Sequence, residues 1–419
     1  MGKTRDRKRR RAKIQRQNRN TPARRQVGIL TGSDLKTGLD RLTRKMLPGG
    51  RIGLLSHYAA VNSRYRSSLD VIAAIPDIEL QMLFGPQHGF HGETQDNMIE
   101  WEGYTHPHYG IPVFSLYGET RSPDPSILEG LDCLVVDLQD VGARYFTYIY
   151  TMAYCLRVCR EARVPVVVLD RPNPLGNSII EGKPLKKGYE SFVGLYPIPV
   201  RHGLTIGEMA LLFARLDGLP EPSVIKMGEW DGEGIPADYP WVYPSPNMPT
   251  PEAASVYPGM CLLEATNLSE GRGTTRPFTV FGAPWIKGME LCERLNGTVW
   301  TEGAVLRSHT FIPTFNKNSG EMCYGAEIHV LDKSAFRPLR TGLGILLEVF
   351  RYSRTRWNDP PYEYEYRKMP IDILSGGPEV REAINRSDSE ALLELAGGNP
   401  VQHTEFTGDT LLYEREFRS

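Results

Sequence analysis

The stretch DCLVVDLQDVGARYFTYIYTMAYCLRVCREARVPVVVLDRPNPLG (132–176) decides the fold. It opens with DCLVVDL (132–138) and closes on VPVVVLD (164–170), two short apolar runs rich in valine. Such continuous runs read as strands buried on both faces, because a strand with one wet face would alternate apolar with polar. Between them FTYIYTMAYCLRVCREAR (146–163) is long and amphipathic, hence helical. The same alternation extends outward. RIGLL (51–55), ELQMLFG (79–85) and IPVFSL (111–116) read as strands, and SLDVIAAI (68–75) and TIGEMALLFARL (205–216) as helices. Thr205 and Glu208 have the spacing of a capping box at the start of the last. Apolar strands alternating with helices imply an α/β fold with a mainly parallel sheet covered on both faces.

The pattern changes at IPADYPWVYPSPNMPTPEAASVYPG (235–259). Its prolines rule out regular helix or a central strand and mark a crossing between domains. Beyond it, FIPTFNKNSGEMCYGAEIHVLD (311–332) resembles a strand, a turn and a strand, and TGLGILLEVFRYSRTRW (341–357) an amphipathic helix. The expected organisation is a basic tail at 1–26, a sheet domain at 27–250 and a second, smaller α/β domain at 251–419.

Charge is unevenly spread. Residues 1–26 carry twelve Lys/Arg and one acid, Asp6, so the remainder holds 37 basic and 49 acidic residues, a net −12. The tail has too few apolar residues to offset chain entropy and is expected to be disordered. It is the one place where nucleic acid or anionic lipid would find counter-charge, although no aromatic residues interleave its charges for base stacking. No apolar run of roughly 7–15 residues follows it as a secretory signal requires. No run of about 18 apolar residues occurs to span a membrane. The six cysteines are scattered, several in apolar runs, and read as free thiols of a reducing compartment; a cytoplasmic location is expected.

Polar residues concentrate where the expected strands end, which is where open parallel sheets bind ligands. Ser56-His57 follows the first strand and Gln87, His88 and His91 the second. Tyr117-Gly118-Glu119 follows the third, Asp137, Gln139, Asp140, Arg144 and Tyr145 the fourth, and Asp170, Arg171 and Asn173 the fifth. One shared cleft is implied, although each residue taken singly also fits a turn or a cap. No GxGxxG or GxxxxGK[ST] suggests a nucleotide, no HExxH or similar helical pair suggests a metal, and no GxSxG elbow suggests a serine nucleophile. What remains is a supply of carboxyl groups (Glu93, Asp137, Asp140, Asp170, Glu264, Glu270) and of arginines (Arg144, Arg171, Arg201, Arg272, Arg276). Paired carboxyls suit glycoside cleavage, and arginine forks suit a substrate carboxylate; a sugar acid would use both.

GPQHGFHGETQDNM (85–98), DLQDVGARYFTYIYTM (137–152), LDRPNPLGN (169–177), GLTIGEMA (203–210), SPNMPT (245–250), TNLSEGRGTTRPF (266–278) and the late FxPxFxK pattern (311–317) together resemble the exo-β-N-acetylmuramidase (NamZ-like) family over roughly residues 35–415. The resemblance implies a Rossmann-like sheet domain, a smaller second domain with a cleft between them, and removal of terminal β-linked N-acetylmuramic acid from peptidoglycan fragments. The catalytic candidates are Glu270, in the Gly-rich loop of the second domain, and Gln87, His88 and Asp140 at the strand ends. The strand ends and the supply of arginines make Asp137, Gln139, Arg144, Tyr145, Asp170, Arg171, Asn173 and Arg272 the expected substrate contacts, and neither cofactor nor metal is expected. Two positions depart from the family: its Ser-Val-Gly-Arg-Gly-Thr segment reads Ser-Glu-Gly-Arg-Gly-Thr here, adding Glu270, and the second departure bears on catalysis. Members carry Glu in a Pro-Glu-His-Gly motif, as the proposed catalytic carboxylate, where this chain has Gln87. An amide cannot donate or accept a proton as a carboxyl does. Either the acid lies elsewhere, with Glu270 or Glu93, or the substrate differs, or the protein binds a sugar without cleaving it.

Overall fold

The strands β1 (Arg51–Ser56), β2 (Glu79–Gly85), β3 (Tyr104–Thr105), β4 (Pro112–Ser115), β5 (Cys133–Asp137), β6 (Val166–Leu169) and β7 (Ser223–Ile225) form one sheet in the order β3-β4-β2-β1-β5-β6-β7. They belong to a computed structural model that describes residues 34–95, 99–118 and 120–419. The basic segment 1–26, and with it the expected place for nucleic acid, lies outside the described residues. Every pairing is parallel except that of the short edge strand β3 with β4. Counted along the chain, the six parallel strands run 3-2-1-4-5-6, the doubly wound order, whose direction reverses between β1 and β5. All five segments expected as strands lie in this sheet.

The apolar runs explain themselves in the packing. Along β5, Leu134 and Val136 enter the core on one face, while Cys133 and Val135 enter the core on the other. Side chains alternate across a strand, so a strand covered on both sides needs apolar residues at every position. Helix α1 (Ser68–Ala73) follows β1, and α2 (Tyr148–Ala162) links β5 to β6. Helix α3 (Ile206–Leu216) is closed by the expected box: Thr205 accepts from the Glu208 amide, and Glu208 accepts from the Thr205 amide at 2.9 Å.

The end of the proline-rich segment is helical, contrary to the expectation from its prolines. Residues Pro251–Met260 form a helix, α4, despite their prolines. Pro251 occupies the first turn, where its missing N–H costs nothing, and the Thr250 side chain caps the end. Pro258 lies inside the helix near its far end, and its carbonyl accepts from the Tyr145 hydroxyl.

A second sheet, antiparallel and ordered β8-β10-β9, comprises β8 (Val280–Ala283), β9 (Ala304–Phe311) and β10 (Cys323–Val330). Here β9 ends where the expected first strand began. Pro313 interrupts pairing, and Thr314 donates instead to the Gly273 carbonyl at 2.8 Å. Helix α5 (Gly288–Leu295) packs on this sheet. Helix α6 (Pro338–Val349) begins earlier and ends sooner than 341–357, since Pro338 opens its first turn. One apolar core runs from Leu134 and Val136 through α2 and α3 to Phe281, Leu306, Ile328 and Leu343, and so joins both sheets. Among the described residues no helix is long and apolar enough to cross a membrane. All six cysteines are buried and unpaired, as their scatter implied.

Candidate active site

The loop after β2 sets the site. Gly85 lies so close beneath the Trp101 ring that a Cβ would come within 2.7 Å of it. His88 and Gly89 both take left-handed backbone conformations, φ 72° and 88°, and turn the chain sharply. Gln87, just before this turn, is buried and spanned on both sides. Its Oε1 accepts from the Thr147 hydroxyl at 2.7 Å, and its Nε2 donates to the Tyr117 oxygen at 3.1 Å. Tyr117 then donates to Glu363 Oε2 at 3.0 Å. Gln87 therefore meets, both directly and through the Tyr117 hydroxyl, a buried carboxyl group that arrives from the distant segment PPYEYEY (360–366).

Glu363 sits at φ 45° and its neighbour Tyr364 at 67°, in a tight turn where Tyr362 and Glu365 exchange backbone hydrogen bonds. Non-glycine residues in this region carry backbone strain that the surrounding structure must hold. Burial pushes the Glu363 carboxyl up to about 7, reinforced by the Glu264 charge and opposed by the Tyr117 hydrogen bond. Glu264 lines the same cavity, accepting from Arg272 Nη2 at 2.8 Å and from the Tyr362 hydroxyl at 2.7 Å. Arg272 also reaches Glu270, at 3.2 Å. Lys317, from the turn between β9 and β10, donates to Glu270 at 3.0 Å and to the carbonyls of Leu263 and Glu264. Burial alone would raise Glu270, but Lys317 and Arg272 outweigh it and hold its carboxyl below the usual glutamate range.

Of the residues expected from sequence, Gln87, His88, Tyr145 and Arg272 line this cavity, together with Thr147, Ser245, Asn247, Glu264 and Glu363. Glu270 stands behind Arg272 rather than on the wall. The others lie in buried frameworks at the strand ends. Asp137 forms a two-pronged ion pair with Arg171, at 2.5 and 2.9 Å, and Arg171 also donates to the Val61 carbonyl. Asp170 accepts from Thr205, Tyr413 and the amides of Arg171 and Gly207, at the head of α3; burial raises its carboxyl to about 7. Asp140 accepts from the Gly142 amide at 2.7 Å and lies 3.2 Å from His202. Arg144 donates to the carbonyls of Lys183, Ile198 and Leu374. Gln139 donates to those of Asp140 and Pro172, and Asn173 to that of Leu204. His57 accepts from the Gln139 amide at 2.9 Å; burial, then the Arg171 charge, lowers it to about 3, so it is neutral. The exposed Glu93 accepts from the His91 amide within its own loop. Glu363 was not picked out from sequence; an acid between tyrosines after two prolines was its only signal. No group of three or more His, Cys, Asp or Glu able to hold a metal occurs among the described residues.

About 30 Å³ of the cavity is open to water. That volume takes a water molecule or two, and a pyranose ring enters only if the walls part.

Comparison with known proteins fits this arrangement. Residues 52–252 match the family model for the N-terminal domain of exo-β-N-acetylmuramidase NamZ, and residues 255–405 match that for its C-terminal domain. The peptidoglycan β-N-acetylmuramidase NamZ of Bacillus subtilis strain 168 is 43% identical over 362 residues, which cover 85% of each chain. Two crystal structures of DUF1343 family proteins from Bacteroides fragilis superpose with TM-scores of 0.78 and 0.69. They are 30% and 25% identical, over 91% and 92% of this chain and 99% and 100% of theirs. The chain belongs to the exo-β-N-acetylmuramidase family.

Proposed function

We propose that this protein is a glycoside hydrolase that removes terminal β-linked N-acetylmuramic acid from the non-reducing end of peptidoglycan fragments, with Glu363 as its general acid. The reading rests on one observation: a buried carboxyl group, raised to about 7, is joined through Tyr117 to the position where the family carries Glu and this chain carries Gln87. A group with that pKa is protonated in part of the population at neutral pH and can give its proton to a departing glycosidic oxygen. Glycoside cleavage employs a second carboxylate, and Glu264, ion-paired with Arg272 and bonded to Tyr362, faces the same cavity. Gln87 cannot transfer a proton. It anchors the Tyr117 hydroxyl and thereby orients Glu363. Glu270 is held as a carboxylate by two cations, which suits placing Arg272 and Lys317 and not proton donation. The buried free thiols support a reducing compartment, and so a cytoplasmic location.

The test is hydrolysis of a chromogenic β-N-acetylmuramide by the wild type, Glu363→Gln and Glu270→Gln. Loss of activity in Glu363→Gln by about 10²–10⁴-fold, the usual worth of general acid catalysis, is the expected result. Full activity in that variant would reject Glu363 as the acid. An inactive wild type that gains activity as Gln87→Glu would mark a sugar-binding protein instead.

A further inference from the structure

Beside the cavity lies a far larger space. A groove of about 550 Å³ opens along the carboxyl ends of β1 and β2, lined in part by Tyr58, Tyr65, Asp70, Phe90, His91 and His106. The two spaces share walls. Gln87 and His88 line the cavity, while Phe90 and His91 of the same loop line the groove. Likewise Ser245 and Asn247 face the cavity, while Val242, just upstream, faces the groove. His57 of the groove packs edge-on against Tyr148 of the cavity, their rings 4.9 Å apart. The cavity has room for water, whereas the groove has a volume typical of a ligand site.

Its walls are those of a saccharide site. Tyr58 and Tyr65 are 46% and 58% exposed, unusually open for large aromatic residues, and offer flat apolar faces to a sugar ring. Tyr58 is braced by Tyr243, with ring centroids 5.2 Å apart. Asp70, which accepts from Tyr109 at 2.5 Å, and the imidazoles of His91 and His106 supply hydrogen-bonding edges among the rings. No part of the chemistry assigned to Glu363 and Glu264 uses these residues.

We propose that the groove binds the glycan on the leaving-group side of the scissile bond, the N-acetylglucosamine unit and the sugars beyond it, with Tyr58 and Tyr65 as stacking platforms. The inference rests on the glycosidase reading above and adds to it. An enzyme that trims one terminal sugar needs a closed end for the reacting residue and an open channel for the rest of the chain. The groove supplies the open channel, and the cavity, once its walls part to admit the terminal ring, supplies the closed end.

The test compares wild type with Tyr58→Ala, Tyr65→Ala and the double variant on two substrates. One is the tetrasaccharide of alternating N-acetylmuramic acid and N-acetylglucosamine with muramic acid at the non-reducing end; the other is 4-nitrophenyl β-N-acetylmuramide, whose leaving group fills little of the groove. The expected result is a rise in KM for the tetrasaccharide of about tenfold or more in the double variant, with kcat/KM for the nitrophenyl substrate unchanged. Unchanged KM on both substrates, or equal losses on both, would overturn the proposal. Hydrolysis of neither substrate by the wild type would count against the glycosidase reading alone. Calorimetric titration with the tetrasaccharide then decides the groove: binding weakened about tenfold in the double variant supports it, and equal binding rejects it.

Discussion

Glu363 is a carboxyl group whose environment departs from water in one direction, and two pH effects follow from it. A general acid works only while protonated, so kcat should fall as pH rises through about 7, the value to which burial moves Glu363. A pH–rate profile with no loss up to pH 9 would contradict this. Placing a second carboxyl beside it, as in Gln87→Glu, adds a like charge and should shift that alkaline limb to higher pH. The second effect concerns stability. A raised folded-state pKa means that the native protein binds protons that the unfolded chain has released. The stabilisation is therefore complete below the ordinary glutamate range, near 4.5, and is lost as pH rises through about 7. Asp170, also raised to about 7, acts with the same sign. Urea unfolding of Glu363→Gln should show a flatter dependence between pH 5 and 7 than wild type; an identical slope would show that Glu363 does not titrate there.

At the scale of elements, the polar residues that follow the strands mostly lock the sheet. The Asp137–Arg171 pair joins the end of β5 to the end of β6, and Arg171 extends to Val61 in the connection after β1. Both side chains are all but inaccessible to water, so removing one partner strands a buried charge. Asp137→Ala should lose about 3–5 kcal/mol in equilibrium denaturation, with the nitrophenyl activity of the remaining folded fraction unchanged. A loss under about 1 kcal/mol would place the pair among weak surface contacts. The sequence indicated that Asp137 and Arg171 stand together at strand ends. It did not show that they face each other, because the lateral order of strands is not written in any single strand.

At the scale of the whole molecule, helices distant in sequence are held by backbone approach as well as by side chains. Gly259 in α4 meets Pro338 and Gly342 of α6 so closely that a Cβ at Gly259 would come within 1.9 Å of the Pro338 carbonyl oxygen. Gly259→Ala should therefore destabilise by about 1–3 kcal/mol or more, as a lowered denaturation midpoint. An unchanged midpoint would mean that the helices separate freely. Lys317 couples the second sheet to the active site, since it spans from the β9–β10 turn to Glu270 and to the carbonyls of Leu263 and Glu264. Lys317→Met should lower activity through misplacement of Arg272, and Lys317→Arg should restore part of it.

Local sequence determined much of this protein. Short runs rich in β-branched valine favour strands covered on both faces, so the parallel sheet, its crossover helix and the Thr205 capping box were legible from local sequence. Helix α4 escaped, because Pro251 sits in the first turn, where a missing N–H costs nothing, and the interior Pro258 comes only two residues before the end. The cavity was legible in part. Gln87 and Arg272 stood out by motif, but Glu363 did not, since nothing local distinguishes it from the other acids of PPYEYEY. Its raised proton affinity arises from burial against Tyr117 and from the charge of Glu264, residues 246 and 99 positions away. Chain periodicity fixes which faces are apolar; which acid lies in the dry interior beside which hydroxyl is decided only when distant segments pack together.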